Sequence, residues 1–298
     1  MATVLITGSS TGIGLATAVA LARARHNVYA TMRHPDRAPE LRTIAQQESL
    51  PLTILRLDVD SDTSVTQAVR QVVAERGHID VLVNNAGIST FGAVEDLPLD
   101  VFRRTMETNY FGALRCMQAV LPAMRERRSG WIINVTSVAG RFAIGAHGSY
   151  SATKFALEAL SEALAQEVKP FNIRVAIVEP GIIQTAIYDK MAEEPPASCY
   201  PHEGRLRALH AASLRSPASP AVVGEAIRQI IESDSWQLRY PVGPDAVPFL
   251  AWRAAMTDEE WVTWNTPPNE EAWYAQVERD FGLDARPFRG VRSVARGV

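Results

Sequence analysis

What this chain lacks narrows its function before any motif is read. It carries two cysteines, Cys116 and Cys199, in 298 residues. That excludes a disulfide framework, and a reducing cytoplasm is the compartment expected. Neither sign of charge prevails: 30 Lys+Arg stand against 33 Asp+Glu, a net of −3. No nucleic-acid partner is expected from such a balance. No apolar run approaches the roughly 20 residues that a membrane-spanning helix needs. Met1-Ala2-Thr3-Val4-Leu5-Ile6 enters a strand-like run at once, which leaves no room for a signal peptide. His26, His34, His78, His147, His202 and His210 show no ligand spacing with each other or with cysteine, so no metal is expected. No repeat or low-complexity tract interrupts the chain.

Hydrophobic residues make up 47% and charged residues 21%, the composition of a globular chain with a substantial core. Over the first 180 or so residues, short β-branched runs alternate with longer amphipathic ones. Val4-Leu5-Ile6, Asn27–Thr31, Thr53–Leu57, Val81-Leu82-Val83, Trp131–Val135 and Val175–Val178 are apolar without alternation, as strands buried on both faces are. Ile13–Ala24, Asp62–Glu75, Val101–Arg125 and Tyr150–Val168 have helical patterning. The alternation predicts βαβ units: an α/β chain with one doubly wound parallel sheet of about seven strands and helices on both faces.

Thr7-Gly8-Ser9-Ser10-Thr11-Gly12-Ile13-Gly14 joins the first strand to the first helix. Gly8 permits a tight turn, Gly12 lets backbone approach a pyrophosphate, and Gly14 lets the helix pack close to the sheet. The helix N-terminus offers N–H groups and a positive dipole end to phosphates. No Gly-Lys-Ser/Thr follows, which argues against a P-loop NTPase. At the end of the second strand an acid would suit the ribose 2′-hydroxyl of NAD, and an arginine the 2′-phosphate of NADP. Arg33 holds that place, and Asp36, after Pro35, is expected to begin the next helix. NADP(H) is therefore expected over NAD(H), which stays the alternative.

Tyr150 and Lys154 lie four residues apart in a helical segment, so both side chains enter the same space. A positive charge near a phenol favours the phenolate and moves its pKa toward the working range.

Thr7–Gly14, Asp58, Asn84-Asn85-Ala86-Gly87, Asn109, Ser137, Tyr150 with Lys154, and Pro180-Gly181 with Thr185 occur in this order. Together they resemble the short-chain dehydrogenase/reductase superfamily, in its subtype with domains of about 250 residues. The resemblance covers about residues 2–243. Val28–Arg33 and Leu238–Ala246 are most similar to the branch containing 17β-hydroxysteroid and retinol dehydrogenases. The resemblance implies cofactor contacts from Gly8, Ser10, Thr11, Gly12, Ile13 and Gly14. It places Asp58 and Val59 at the adenine edge and Asn85, Ala86 and Gly87 along the cofactor. Pro180, Gly181, Ile183 and Thr185 would hold the nicotinamide end. Tyr150 would move the proton, and Ser137 would donate to the substrate oxygen. Lys154 would lower the tyrosine pKa and bond the nicotinamide ribose, and Asn109 would hold a water linking Lys154 to solvent. Relatives pair through the helices that carry Asn109 and Tyr150, so a homodimer or homotetramer is expected.

The neighbours of the pair are given lesser parts. His147, three residues before Tyr150, is read as a loop residue, with reach into the substrate space as the alternative, and Ser149 and Ser151 as facing elsewhere. Cys116 is assigned to the core and Cys199 to an exposed segment.

Residues 182–220 carry Pro195, Pro196, Pro201, Pro217 and Pro220 and are read as a lid with one short helix over Arg205–Ser213. Ile182, Ile183, Ile187 and Met191 on it point to a lipophilic small-molecule substrate. Ala221–Glu232 is expected as a helix and Gln237–Val242 as a last strand. The catalytic domain is set at 1–245, and 246–298 forms a helical extension packed on it. Asn269 is placed to cap a helix that runs to Phe281 and ends at Gly282. Trp252, Trp261, Trp264 and Trp273 of the extension are expected either to pack it on the core or to wall the site. Arg286, Arg289, Arg292 and Arg296 are read as a frayed, solvated end. The expected activity is hydride transfer between nicotinamide and a ketone or secondary alcohol, or an aldehyde or primary alcohol. An epimerase or dehydratase sharing the Tyr/Lys pair and a non-catalytic cofactor sensor are the alternatives.

Overall fold

The computed structural model describes residues 1–187 and 198–291. Met191, Pro195, Pro196, Arg292 and Arg296 lie outside the described residues. Seven strands, β1 (Thr3–Ile6), β2 (Asn27–Met32), β3 (Leu52–Arg56), β4 (Val81–Asn84), β5 (Gly130–Val135), β6 (Ile173–Pro180) and β7 (Arg239–Val242), form one sheet in the order 3-2-1-4-5-6-7. Every pairing is parallel. The expected strands are all present, each within two residues of its boundaries.

Each central strand feeds two cores. Val4 and Ile6 of β1 join a cluster with α1 (Gly12–Arg23), α2 (Pro39–Gln47) and α8 (Pro220–Glu232). Leu5, between them, joins the opposite cluster with α3 (Asp62–Arg76), α5 (Gly112–Arg127) and α6 (Gly148–Val168). Val28/Tyr29/Ala30 and Val81/Leu82/Val83 divide in the same way. Side chains alternate across a strand, so two buried faces demand an unbroken apolar run. Helix α8 packs so closely on α1 that a Cβ on Gly224 would sit 2.8 Å from the Ala16 backbone.

The helix expected over Val101–Arg125 is interrupted. Helix α4 (Leu99–Met106) passes through a π-helical turn, Glu107–Phe111, into α5. The wider turn sends the Asn109 side chain inward to Ile88 and Thr153, while Gly112 meets Val59 at a distance that leaves no room for a Cβ. Asp36 does not begin a helix. It lies in a 3₁₀ turn, Pro35–Arg37, and α2 starts only at Pro39. Helix α2 has Leu41 as its one buried residue, which leaves almost no periodic signal to read.

Helix α7 (His202–Ser213), expected from Arg205, starts three residues earlier. It packs against α11 (Glu270–Phe281) through Ala208, Ala211, Trp273, Tyr274 and Val277. Asn269 caps α11, with its side chain accepting from Ala272 N at 2.9 Å, and Gly282 ends it in the left-handed region. Two further helices, α9 (Ala246–Ala254) and α10 (Asp258–Asn265), precede it. Thr257 and Glu260 form a capping box at α10, a sequence signal that marks this start. The end is not frayed where it is described: Phe288 is buried, Arg286 pairs with Glu271 and Glu278, and Arg289 lies over the Tyr274 ring.

Candidate active site

The chain leaves β1 toward β2 and returns later to β4, so a crevice opens at the carboxyl ends of β1 and β4. The loops after these strands are stitched together. Asn85 Nδ2 donates to the carbonyls of Thr7 and Gly8 at 2.9 and 3.1 Å, and Thr7 Oγ1 accepts from Asn85 N and Ala86 N. Gly8 has φ +70, and a Cβ there would stand 2.7 Å from Ala86 Cα. A Cβ on Gly14 would strike the Gly8 carbonyl at 2.4 Å. Thr11, Gly12 and Ile13 at the start of α1 border the crevice, so the helix's N-terminal dipole end faces it.

From this crevice a cavity of about 300 Å³ runs past the proton-transfer candidates to the C-terminal helices. Its wall takes in every residue assigned above to the cofactor except Gly14, and all the catalytic candidates except Asn109. Gly14 and Asn109 stand behind the wall and shape it. Arg33 is exposed where β2 ends and lines the cavity with Asp58 and Val59; Asp36 does not line it. Asp60, not singled out from the sequence, lines the same end and accepts from Thr108 Oγ1 at 3.0 Å.

Tyr150 and Lys154 lie deep. Lys154 is 5% exposed, and its Nζ donates to the Val135 carbonyl at 3.0 Å and sits 5.5 Å from the Tyr150 ring centroid. Burial pushes the ammonium down to about 8, against an opposing pull from Glu158 one turn along α6. Glu158, which no sequence motif singles out, accepts from Thr136 Oγ1 and Arg239 Nε at 2.7 and 3.0 Å. The Tyr150 phenol is pushed up to about 12 by burial, which outweighs a hydrogen bond from Ser137. The expected lowering of the phenol by Lys154 is therefore not what the folded chain alone produces; desolvation is larger. Ser137 caps a 3₁₀ turn, Val138–Gly140, accepting from Ala139 N at 3.1 Å.

His147 is not a loop bystander. It is the N-cap residue of α6, and its ring stacks on Tyr150 at 4.6 Å and 12°. One helical turn separates the two, the spacing that puts side chains on one face. Its Nε2 is 3.3 Å from Ser89 Oγ. Ser151, given no role from sequence, also borders the cavity, with its hydroxyl unbonded among the described residues. Ser149 does turn away, to Thr90. Asp245 fixes the loop after β6, accepting from Ile182 N at 2.7 Å beside Gly181.

The far wall is aromatic. Trp252, Trp261, Trp264 and Trp273, with Phe249 and Phe281, line it. Trp252 meets Trp261 and Trp264 edge-on at 5.3 and 4.9 Å, and Trp261 Nε1 donates to the Ala143 carbonyl at 2.9 Å. The tryptophans thus do both things expected of them. Leu206, Leu209 and His210 of α7 complete this end.

Comparison with known proteins agrees with this geometry. The short chain dehydrogenase family model matches residues 2–196. A 3-ketodihydrosphingosine reductase of Bacteroides thetaiotaomicron is 38% identical over 245 residues, covering 81% of this chain and 87% of that protein. Retinol dehydrogenase 8 of Bos taurus is 38% identical over 266 residues, covering 85% of each. The crystal structure of a short-chain dehydrogenase from Streptomyces avermitilis aligns with a TM-score of 0.78 at 36% identity, over 88% of this chain and 96% of that one. This chain belongs to the short-chain dehydrogenase family, oxidoreductases that act between CH–OH and C=O groups. Among the described residues no helix is long and apolar enough to cross a membrane, and no His/Cys/Asp/Glu group is arranged to hold a metal.

Burial holds His147 down to about 3 and His210 down to about 4. Between those values and the unfolded value of about 6.5, the unfolded chain binds protons that the folded chain refuses. Stability therefore rises with pH through this window and falls on acidification. From pH 7 to pH 5 each histidine should cost about 2 kcal/mol of unfolding free energy. Urea unfolding at the two pH values should show a smaller fall for His147→Phe than for the wild type; equal falls would mean that His147 titrates freely in the folded chain.

Proposed function

We propose that this protein reduces a lipophilic ketone or aldehyde with NADPH, or catalyses the reverse oxidation with NADP⁺. The observation that carries the reading is one continuous cavity. It has Arg33 at one end, Tyr150, Lys154 and Ser137 in the middle, and tryptophans at the other end. The residues fit a dinucleotide: a glycine turn too tight for side chains, an uncapped helix N-terminus, and a guanidinium where a 2′-phosphate would lie. When bound, the nicotinamide supplies or accepts the hydride.

The rest is the work of the chain. Tyr150, protonated at neutral pH, gives its proton to the carbonyl oxygen as negative charge grows there. Ser137 donates a second hydrogen bond to that oxygen. Lys154 stays cationic below about 8 and stabilises the phenolate left behind. Asn109 spends its side chain on Ile88 N, Ile88 O and Thr153 Oγ1, so its main-chain carbonyl at the π turn is the group we assign to a relay water. Asp58 and Val59 would border the adenine. Asn85, Ala86 and Gly87 would run along the cofactor, and Pro180, Gly181, Ile183 and Thr185 would hold its nicotinamide end. Residues 182–220, with α7, would serve as the lid of a 1–245 catalytic domain, with the extension as its aromatic wall. The two free cysteines, one buried and one exposed, accord with a cytoplasmic setting.

Tyr150→Phe should lower NADPH-dependent reduction about 10³-fold or more while leaving NADPH affinity within about threefold. Comparable loss of binding and turnover would remove Tyr150 from proton transfer. Arg33→Ala should weaken NADPH binding about tenfold or more and NADH little, read by titration calorimetry; equal losses would overturn the NADP assignment. Phe111 in the π turn and Phe155 on α6 are 43% and 44% exposed, which supports pairing of two or four copies through these helices. Light scattering should report a dimer or tetramer, and a monomer at micromolar concentration would contradict it.

A further inference from the structure

We infer that the lipophilic substrate carries a carboxylate at the end of its apolar chain remote from the carbonyl, and that Arg205 holds it. The inference rests on the reductase reading above and names the substrate class for it. Arg205 lies on α7, lines the cavity, and is 6% exposed. Its guanidinium stands 6.0 Å from the Trp273 ring centroid, among the aromatic residues. His210 marks the other end of α7, where its ring lies 6.2 Å from His147, which itself stacks on Tyr150. Arg205 lies five residues back from His210, about 7.5 Å along the helix axis.

The charge pattern is asymmetric. Among the described residues the charged side chains on the cavity wall are Arg33, Asp58 and Asp60 at the nucleotide end, Lys154 at the phenol, and Arg205. Among the described residues Arg205 is the one charge in the aromatic part, and no described acid lines it. Burying a guanidinium is costly unless it is paired and hydrogen-bonded. Arg205 has one carboxylate partner, Glu270, reached through Nε alone at 3.1 Å, and the Glu270 side chain is 44% exposed. The two terminal nitrogens make no hydrogen bond among the described residues. Arg205 therefore keeps a pair of parallel donors on a wall that is otherwise largely aromatic and apolar. Such a fork matches a carboxylate bidentately, and the indole face beneath supports a flat, charged pair. A cationic head at this place would meet like charge. A chain that is neutral throughout would leave the fork unsatisfied.

Four tryptophans line the cavity, so their fluorescence reports binding without turnover. Laurate, methyl laurate and dodecylamine are the probes, titrated into the full-length protein. Laurate should bind about tenfold or more tighter than methyl laurate, and dodecylamine more weakly than either. Arg205→Gln should bring laurate down to the level of methyl laurate. Because that variant also loses its bond to α11, Glu270→Gln supplies an independent check. Removing the competing carboxylate should tighten laurate by about threefold or more while methyl laurate is unchanged. An ion pair that only braced α7 against α11 would instead cost stability in Glu270→Gln with no gain in affinity, and that result overturns the inference. So does equal binding of laurate and its ester by the wild type. NADPH consumption with 2-dodecanone, which has no carboxylate, tests the underlying reading separately. Turnover of this ketone without laurate preference sinks the Arg205 site alone; laurate preference without turnover of any ketone sinks the reductase reading and leaves the anion site standing.

Discussion

The rest of the site depends on one buried ammonium. Lys154 reaches the Val135 carbonyl at the carboxyl end of β5 and lies within 5.5 Å of the Tyr150 ring centre. Holding a cation there, with its pKa pulled from 10.5 to about 8, costs about 3 kcal/mol. The sheet offsets that cost by offering the Val135 carbonyl at the end of β5, and α6 adds Glu158 one turn below. The phenol above stays protonated, as a proton donor must. A hydrophobic side chain at 154 would pack as well and leave Tyr150 an ordinary buried tyrosine.

Much of this was legible in the sequence because the fold imposes strict demands on a few residues. A strand buried on both faces has to be continuously apolar, and β1, β2 and β4 announced themselves that way. Gly8 has to be glycine because Ala86 stands where a Cβ would go. The i, i+4 spacing of Tyr150 and Lys154 is enough to put both on one face of α6. What escaped was set by tertiary contact. Nothing in Glu107–Phe111 signals a π turn; it exists because Asn109 is drawn to Ile88 and Gly112 to Val59. Helix α2 rests on a single buried leucine. Burial raises the Tyr150 phenol against the lowering expected from Lys154, because proximity of a charge is visible in a sequence and the depth of burial is not.

The C-terminal helices give the cavity its second character. The nucleotide end is polar and built from loops that β1 and β4 hold in register, whereas the far end is built by helices packed on one another through aromatic rings. Trp261 belongs to both roles, since its ring lines the cavity while its N–H ties α10 to Ala143 in the loop before α6. Loss of that tie would loosen the aromatic wall without touching the phosphate loop. The two ends are therefore built from separate elements, the loops after β1, β2 and β4 at one and α7 with the C-terminal helices at the other.

The central claim is that Tyr150 and Lys154 serve a hydride transfer between nicotinamide and a carbonyl carbon. Single-turnover reaction of the protein with NADPH deuterated at the nicotinamide C4, followed by mass analysis of the alcohol formed from a lipophilic ketone, tests it directly. Deuterium bonded to the carbinol carbon, with the hydroxyl proton drawn from solvent, is the expected result. Deuterium absent from that carbon while NADPH is consumed, or NADPH bound and never consumed with any ketone or aldehyde, would contradict it.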